Sequence, residues 1–400
     1  MYLNALKNRN ALFYILSAGI TNAGNVISGM AFLFLAYELT QSNLYTTGIA
    51  ISQVLPYLFF GLIGGVVSDW IQKRRLLIIF DLIRVPLIFS LVFFFYFGLL
   101  EYWHLIVVSF LIQLLGCFYN PAHRALLPII VPVENRTAIN SLLDSVTRGA
   151  TVLGPIISIV LINTVGIIHF FTIDAVTFLI SALLISKITL KEDEKGLAGK
   201  SIKDVFLTLK SFVIWANQQT QLKTLFIVTF IMVFLNTWVW QVGLLLQLSA
   251  TLSNAEEWYS IILGTFGVCV ILVNIIVPYV WEQLNLKHYL IASSVWSMGI
   301  FTIGLAFALP IYFIGALIVA MGLPISSLAR VYLLQLLLPN DMLGKGFSFN
   351  AFLLYLSNAI SLGVFGLLST FVSINIIFVV CGLLMILAGL VSYYLTILRK

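Results

Sequence analysis

Residues 73–99 read KRRLLIIFDLIRVPLIFSLVFFFYFGL, three bases followed by an apolar run in which Asp81 and Arg84 are the sole charges. A helix needs roughly 20 apolar residues to cross the hydrocarbon of a bilayer, so 76–99 is the length of one crossing, anchored by the bases at one end. Runs of this kind recur along the whole chain. Spans are predicted over 11–39, 44–67, 76–99, 104–128, 139–162, 168–187, 223–248, 258–280, 288–308, 312–337, 346–370 and 374–397. The chain is 61% hydrophobic and 9% charged, too few charges to keep a soluble surface dispersed. The expected class is an all-α polytopic membrane protein with about twelve transmembrane helices.

The bases set the orientation. Lys7 and Arg9 precede the first span, and Lys73, Arg74, Arg75, Arg136, Lys287 and Lys345 fall in alternate short loops, with Arg399 and Lys400 after the last span. The intervening loops hold Glu101, Glu256 and Glu257 and no base. By the positive-inside rule both termini are expected in the cytoplasm, and the location is expected to be a bacterial cytoplasmic membrane. The first apolar run is too long for a cleavable signal. The net charge of +6 lies at the inner boundary, where anionic lipid, and not nucleic acid, accounts for it. Cys117, Cys269 and Cys381 all fall inside spans and the four histidines are scattered, so no disulfide framework, metal or cofactor is expected.

A polar stretch divides the spans six and six, giving expected units of 1–187 and 223–400 joined by a cytoplasmic linker, 188–222. The linker begins with a charge run, Lys191-Glu-Asp-Glu-Lys-Gly, and continues with Lys200. In its second part Ile202, Val205, Phe206, Leu209 and Phe212 stand at helical spacing, with Lys203, Asp204 and Lys210 elsewhere. That suits either a helix on the inner membrane surface or a plain tether, flanked by Lys187 and Lys223. The halves echo one another: at a shift of 207, Pro132-Val-Glu134 falls on Pro339-Asn-Asp341 and Ser141 on Ser348, and at 213, Asp69 falls on Glu282 and Arg74 on Lys287. Internal repeats of this kind are common in transporters.

Between the second and third spans stands Gly65-Val-Val-Ser-Asp69-Trp-Ile-Gln-Lys73-Arg74-Arg75, which resembles motif A of the major facilitator superfamily. Ala150-x-x-x-Gly154-Pro155-x-x-Ser158 resembles motif C, which marks its antiporter branch. Asp81-Leu-Ile-Arg84, Asn120-Pro-Ala, Leu127-Pro, Val131-Pro and Ile173-Asp174-Ala look like the branch holding macrolide-efflux and enterobactin-export proteins. The resemblance implies two six-helix bundles in the major facilitator fold, alternating access and a monomer. It further implies that Asp69, with Lys73, Arg74 and Arg75, latches the outward-open state, and Asp81 and Arg84 would extend that network. Three departures stand out. Trp70 replaces a usual base, Gln72 replaces a usual glycine, and Gln113 stands where related exporters carry an arginine tied to proton coupling.

Charges within a bilayer are expensive and mark function or pairing, about 2.5–3.5 kcal/mol each on insertion scales. Asp144, Arg148, Asp174 and Arg330 remain after groups near span ends are set aside. Asp144 and Arg148, four apart, share a helix face and form either a titrating pair or a fixed brace. Asp174, with no base nearby in sequence, is the leading proton-carrier candidate, the competing role being an interhelical hydrogen bond. Glu38 is a weaker candidate at a wetted span end. Gly154-Pro155 and Gly61-x-x-x-Gly65 read as hinge or packing devices.

Asn22, Asn25, Gln53, Asn236, Trp240, Gln241, Asn274 and Asn358 are candidate lining residues of a substrate cavity. Neutral hydrogen bonds and ring surface suit a bulky amphipathic compound such as a drug, siderophore or peptide-like metabolite. The leading expectation is a proton-coupled exporter. Uptake by symport is the alternative, and sodium in place of protons stays open. An integral-membrane enzyme would need converging His, Asp or Glu residues, and none converge. No glycine-rich nucleotide loop and no repeated ring of pore charges are present to support ATP drive or a channel.

Overall fold

A computed structural model describes residues 2–190, 202–252 and 254–398. Lys191, Lys195, Lys200, Arg399 and Lys400 lie outside the described residues, as does the linker's charge run. The described chain is helical: α1 (Tyr2–Leu6), α2 (Arg9–Thr40), α3 (Asn43–Trp70), α4 (Lys73–Tyr96), α5 (Tyr102–Ile130), α6 (Val133–Thr164), α7 (His169–Ser186) and α8 (Ile202–Gln218). Then follow α9 (Thr220–Trp238), a π-helical turn (Val239–Gly243), α10 (Leu244–Thr251), α11 (Ala255–Val280), α12 (Leu286–Gly304), α13 (Leu309–Leu337), α14 (Leu343–Leu368), α15 (Ile374–Tyr393) and a second π-turn (Tyr394–Leu398).

Each expected span has its helix, although several helices, such as α4, α6 and α13, begin before the expected apolar stretch. The fifth span, expected over 139–162, is the middle of α6, whose helix continues through Glu134 and Arg136 at its start. Backbone hydrogen bonding does not stop where hydrophobicity does, so α4 likewise begins at Lys73. Ten stretches among the described residues are long and apolar enough to cross a membrane on their own. α6 and α12 fall outside that set; α12 carries Lys287 and His288 in its first turn and Ser293, Ser294 and Ser297 further on.

The chain forms two compact units. The first is Met1–Phe212 with Leu338–Phe352, and the second is Val213–Leu337 with Leu353–Lys400. Two elements are divided between these units. α8 straddles the divide, with Val205, Phe212 and Ala216 buried at one-face spacing and Phe206 exposed. The Phe212 ring meets Phe349 at 5.9 Å, so α8 packs on protein and does not merely lie on a surface. The first turns of α14 join the first unit, for reasons given below.

Within the first unit α2 packs on α6 and α7, α3 on α5, and α4 on α5 and α7. Two apolar clusters form its core. One gathers Tyr14, Leu76, Leu77, Tyr119, Leu126, Ile139 and Ile185. The other gathers Ile27, Phe32, Leu35, Ile88, Leu91, Leu105, Phe170, Phe171 and Phe178. Between them on α2, α4 and α7 sit buried polar residues: Ser17, Thr21, Ser28, Asp81, Arg84 and Ser181. The outside is apolar, with Phe59, Phe93, Tyr96, Phe97 and Trp103 exposed, as a lipid-facing surface requires.

In the second unit α12 packs on α13 and α15, and α11 on α13. Close approach depends on small residues, because lipid supplies no hydrophobic drive between helices. A Cβ at Gly322 would overlap the backbone of Ala292 and Trp296, at 2.6 Å from the Ala292 carbonyl oxygen. Gly322→Ala is therefore expected to destabilise the unit by about 1–3 kcal/mol, read as a lower thermal midpoint in detergent. Gly61→Ala, which meets nothing within 4 Å, is the matched control and should leave the midpoint unchanged.

Candidate functional site

The motif A stretch is built at the end of α3. Asp69 accepts hydrogen bonds from the backbone N–H of Gly344 onto Oδ1 at 2.7 Å and of Lys345 onto Oδ2 at 2.9 Å. Those are the first free amides of α14, where the helix dipole favours an anion. Lys73 Nζ lies 3.9 Å from Asp69 Oδ1, and both side chains are buried. Gly65 lets the two segments meet: a Cβ there would fall on Ser348 and at 2.6 Å from the Gly344 carbonyl oxygen. Gly61 faces open space, so of the Gly61-x-x-x-Gly65 pair only Gly65 makes a close contact. The amides come from Gly344 and Lys345, two residues and one residue before the eleventh span's expected start at 346. This cap is what joins Leu338–Phe352 to the first unit.

The replacement of a usual glycine by Gln72 has a simple backbone account. Ile71 and Gln72 have φ of −109° and −59°, so the turn contains no left-handed residue and requires no glycine. Arg74 donates to the carbonyl oxygens of Ile185 and Ser186 at the end of α7, a favourable place for a cation. Arg75 is exposed.

Asp81 and Arg84 are not brought to Asp69. Asp81, 0% exposed, accepts from Ser181 Oγ at 2.7 Å, from Tyr119 Oη at 3.2 Å and from Arg84 Nη1 at 3.4 Å. The Arg84 guanidinium lies over the Tyr119 and Phe178 rings, 4.6 Å and 5.3 Å from their centroids. A cation stacked on rings and held by one carboxylate is a stable buried arrangement.

Asp174 is also 0% exposed, on α7 facing α2. Its Oδ2 accepts from Ser28 Oγ at 2.6 Å and its Oδ1 from Thr177 Oγ1 at 3.2 Å, with Gly24 making room. Alone in sequence, it is not alone in space: the charges of Arg84 and Asp81 both act on it. Two buried carboxylates thus share the neighbourhood of one guanidinium.

Asp144 and Arg148 pair at 2.7 Å, with side chains 25% and 30% exposed. Exposed pairs of this kind contribute about 0–1 kcal/mol, so Arg148→Gln is expected to leave the thermal midpoint within a degree or two. Glu38 is exposed at the end of α2.

Asn22 and Asn25 line a cavity of about 430 Å³ in the first unit. Its other walls come from Ala18, Thr21, Tyr57, Arg84, Ile112, Gln113, Gly116, Tyr119, Asn120, His123, Arg124, Leu143 and Thr147. Asn120 Nδ2 donates to Tyr57 Oη at 2.7 Å, and the Tyr14 ring stacks on His123 while its Oη hydrogen-bonds with Nδ1 at 3.0 Å, holding that wall in place. Sequence reasoning missed Arg124, His123, Tyr57 and Tyr119. Arg124 lies toward the C-terminal end of α5; only the α5 helical register, which puts 113, 116, 120 and 124 on one stripe, could have found it. Gln53 is half-buried outside this lining.

The remaining candidates lie in the second unit. Asn236 Oδ1 accepts from Trp296 Nε1 at 3.0 Å, and Asn358 Oδ1 accepts from Thr237 Oγ1 at 2.5 Å. Asn274 is buried, and Arg330 Nη2 donates to Ser327 Oγ at 3.3 Å. Trp240 and Gln241 sit on the π-turn, Trp240 against Phe266 at 4.6 Å and Gln241 exposed. Beside that turn the Trp238 amide donates to Ser361 Oγ at 3.1 Å, outside the helical ladder. Such π-turns are frequent at functional sites. The helix continues through Gly154 and Pro155, and Gly154 packs on Val26.

An all-α, membrane-length molecule whose motif A aspartate caps the start of α14 has the architecture of the major facilitator class. The fold is that of a bacterial homologue of the iron transporter ferroportin in its outward-facing state, with a TM-score of 0.76 at 15% identity over 96% of this chain and 99% of that one. Residues 7–400 match the family described as transmembrane secretion effector, and the chain belongs to that family of the major facilitator superfamily. It is 25% identical to the multidrug efflux pump Tap of Mycolicibacterium fortuitum, covering 98% of this chain and 97% of Tap. It is 22% identical to macrolide efflux protein A of Streptococcus pyogenes, covering 98% of both.

Proposed function

We propose that this transporter exports an amphipathic organic compound in exchange for protons, by alternating access of its two six-helix bundles, with both termini in the cytoplasm. The observation that carries this reading is the buried pair of carboxylates, Asp174 and Asp81, set around Arg84 beside a ligand-sized cavity. Ionisable groups so deep in a bundle mark ion pathways by default. Asp174 is the proton carrier of this proposal, and Asp81 with Arg84 is its charged neighbour. Asp69 on the α14 amides is the latch whose release accompanies the change of state. The efflux activity of the macrolide and multidrug relatives supports the outward direction.

The test is efflux from cells expressing the protein, with a panel that includes a macrolide and a catecholate siderophore, before and after a protonophore. Energised efflux of one compound, abolished by the protonophore, is the expected result. Energised accumulation of a panel compound would replace export with uptake.

A further inference from the structure

The cavity wall of the first unit has a charge balance that says what kind of organic compound it takes. Two guanidiniums, Arg84 and Arg124, line it, and no carboxylate does among the described residues. Asp81 offsets Arg84 from behind at 3.4 Å, whereas Arg124 has no ion pair among the described residues. Within the lining the Arg124 charge is thus the one without an ion pair, while Asp81 and Asp174 stand behind Arg84. Its hydrogen-bonding atoms are also unspent. Arg84 Nε and Asn22 Nδ2 are donors, and both are buried without a partner among the described residues, as is the Thr21 hydroxyl. Arg84 is 4% exposed, so bulk water does not satisfy its free N–H.

Resting on the reading of an organic-compound transporter, we infer that this cavity binds an amphipathic organic anion, its acidic group against Arg124, with Arg84 and Asn22 in the same wall. A carboxylate accepts from guanidinium N–H groups in a planar, charge-assisted geometry that no neutral group reproduces. The body of the compound lies against Ile112, Leu143 and the Tyr57 ring. A volume of about 430 Å³ belongs to small-molecule sites and is far larger than an inorganic anion needs. An amine-bearing compound is disfavoured, since it would meet Arg124 with no carboxylate in the wall to receive it.

The experiment uses the full chain in nanodiscs of zwitterionic lipid and three fluorescent probes of one shape: anthracene-9-carboxylate, its uncharged carboxamide, and anthracen-9-ylmethylammonium. The wild type is expected to bind the carboxylate roughly tenfold or more tighter than the other two. Arg124→Gln should bring carboxylate and carboxamide within about threefold, and Arg124→Lys should keep most of the preference. Equal affinities in the wild type, tighter binding of the ammonium probe, or no binding of any probe would overturn the inference. So would a preference that survives Arg124→Gln in protein with a wild-type melting curve. Loss of carboxylate binding in phosphatidylglycerol nanodiscs would assign the site to a lipid head group and equally overturn it. Charge-selective binding in protein that shows no energised efflux would sink the export reading and leave this one standing.

Discussion

Asp69→Ala is expected to cut substrate export at least tenfold at equal membrane abundance. The carboxylate takes two charge-assisted bonds from the start of α14, at 2.7 and 2.9 Å, and has Lys73 beside it at 3.9 Å. Hydrogen bonds to a charged group are worth about 1.5–3 kcal/mol each, so removing both weakens the contact by about 3 kcal/mol or more. That is about two orders of magnitude in the latch equilibrium. Asp69→Asn keeps one acceptor oxygen and loses the charge, so it should fall between alanine and wild type. Gly65→Val, which drives a side chain into Ser348, should reproduce the alanine defect without touching a charge. Transport of the identified substrate measures all three. A fully active Asp69→Ala would mean that the cap is not a latch.

Asp174→Asn is expected to abolish energised efflux while leaving the fold intact. The amide has the volume of the carboxylate and can still accept from Ser28 or Thr177, so stability should change by about 1 kcal/mol or less. What it lacks is the capacity to lose and regain a proton. An exporter coupled through this group should lose uphill transport by roughly a hundredfold yet still bind substrate, a split that a merely structural residue would not produce. Asp174→Leu is different in kind. It strands the Ser28 hydroxyl and presses on Gly24, so it should lower the melting midpoint as well. Wild-type efflux by Asp174→Asn would return the residue to the role of an interhelical hydrogen bond and move coupling to Asp81.

Both residues were legible in the sequence because each departs from a strong local rule: a charge in an apolar run, or an acid four residues before a base cluster. The helices were legible for the same reason, since a run such as 76–99 admits one solution in a bilayer. What sequence could not supply was company. Asp174 has no base near it in the chain, yet α4 brings Arg84 and Asp81 into its neighbourhood. Asp81 and Arg84 look like an extension of motif A by spacing alone, but the hydrogen bonds to Asp81 come from Tyr119, Ser181 and Arg84. Arg124 carries no signal in the linear sequence, and only when α5 is wound does it fall on the same cavity as Asn22. The π-turn at Val239–Gly243 carries no residue signature, because one extra residue per turn is settled by packing, here by Ser361 taking the Trp238 amide.

Proton movement in everted membrane vesicles is the most direct test of exchange. Vesicles containing the protein are acidified inside by respiration, and the substrate found in the efflux panel is added outside. Substrate-dependent loss of luminal protons, present in wild type and absent in Asp174→Asn, is the expected result. Substrate uptake into the vesicles with no change in luminal pH would contradict proton exchange.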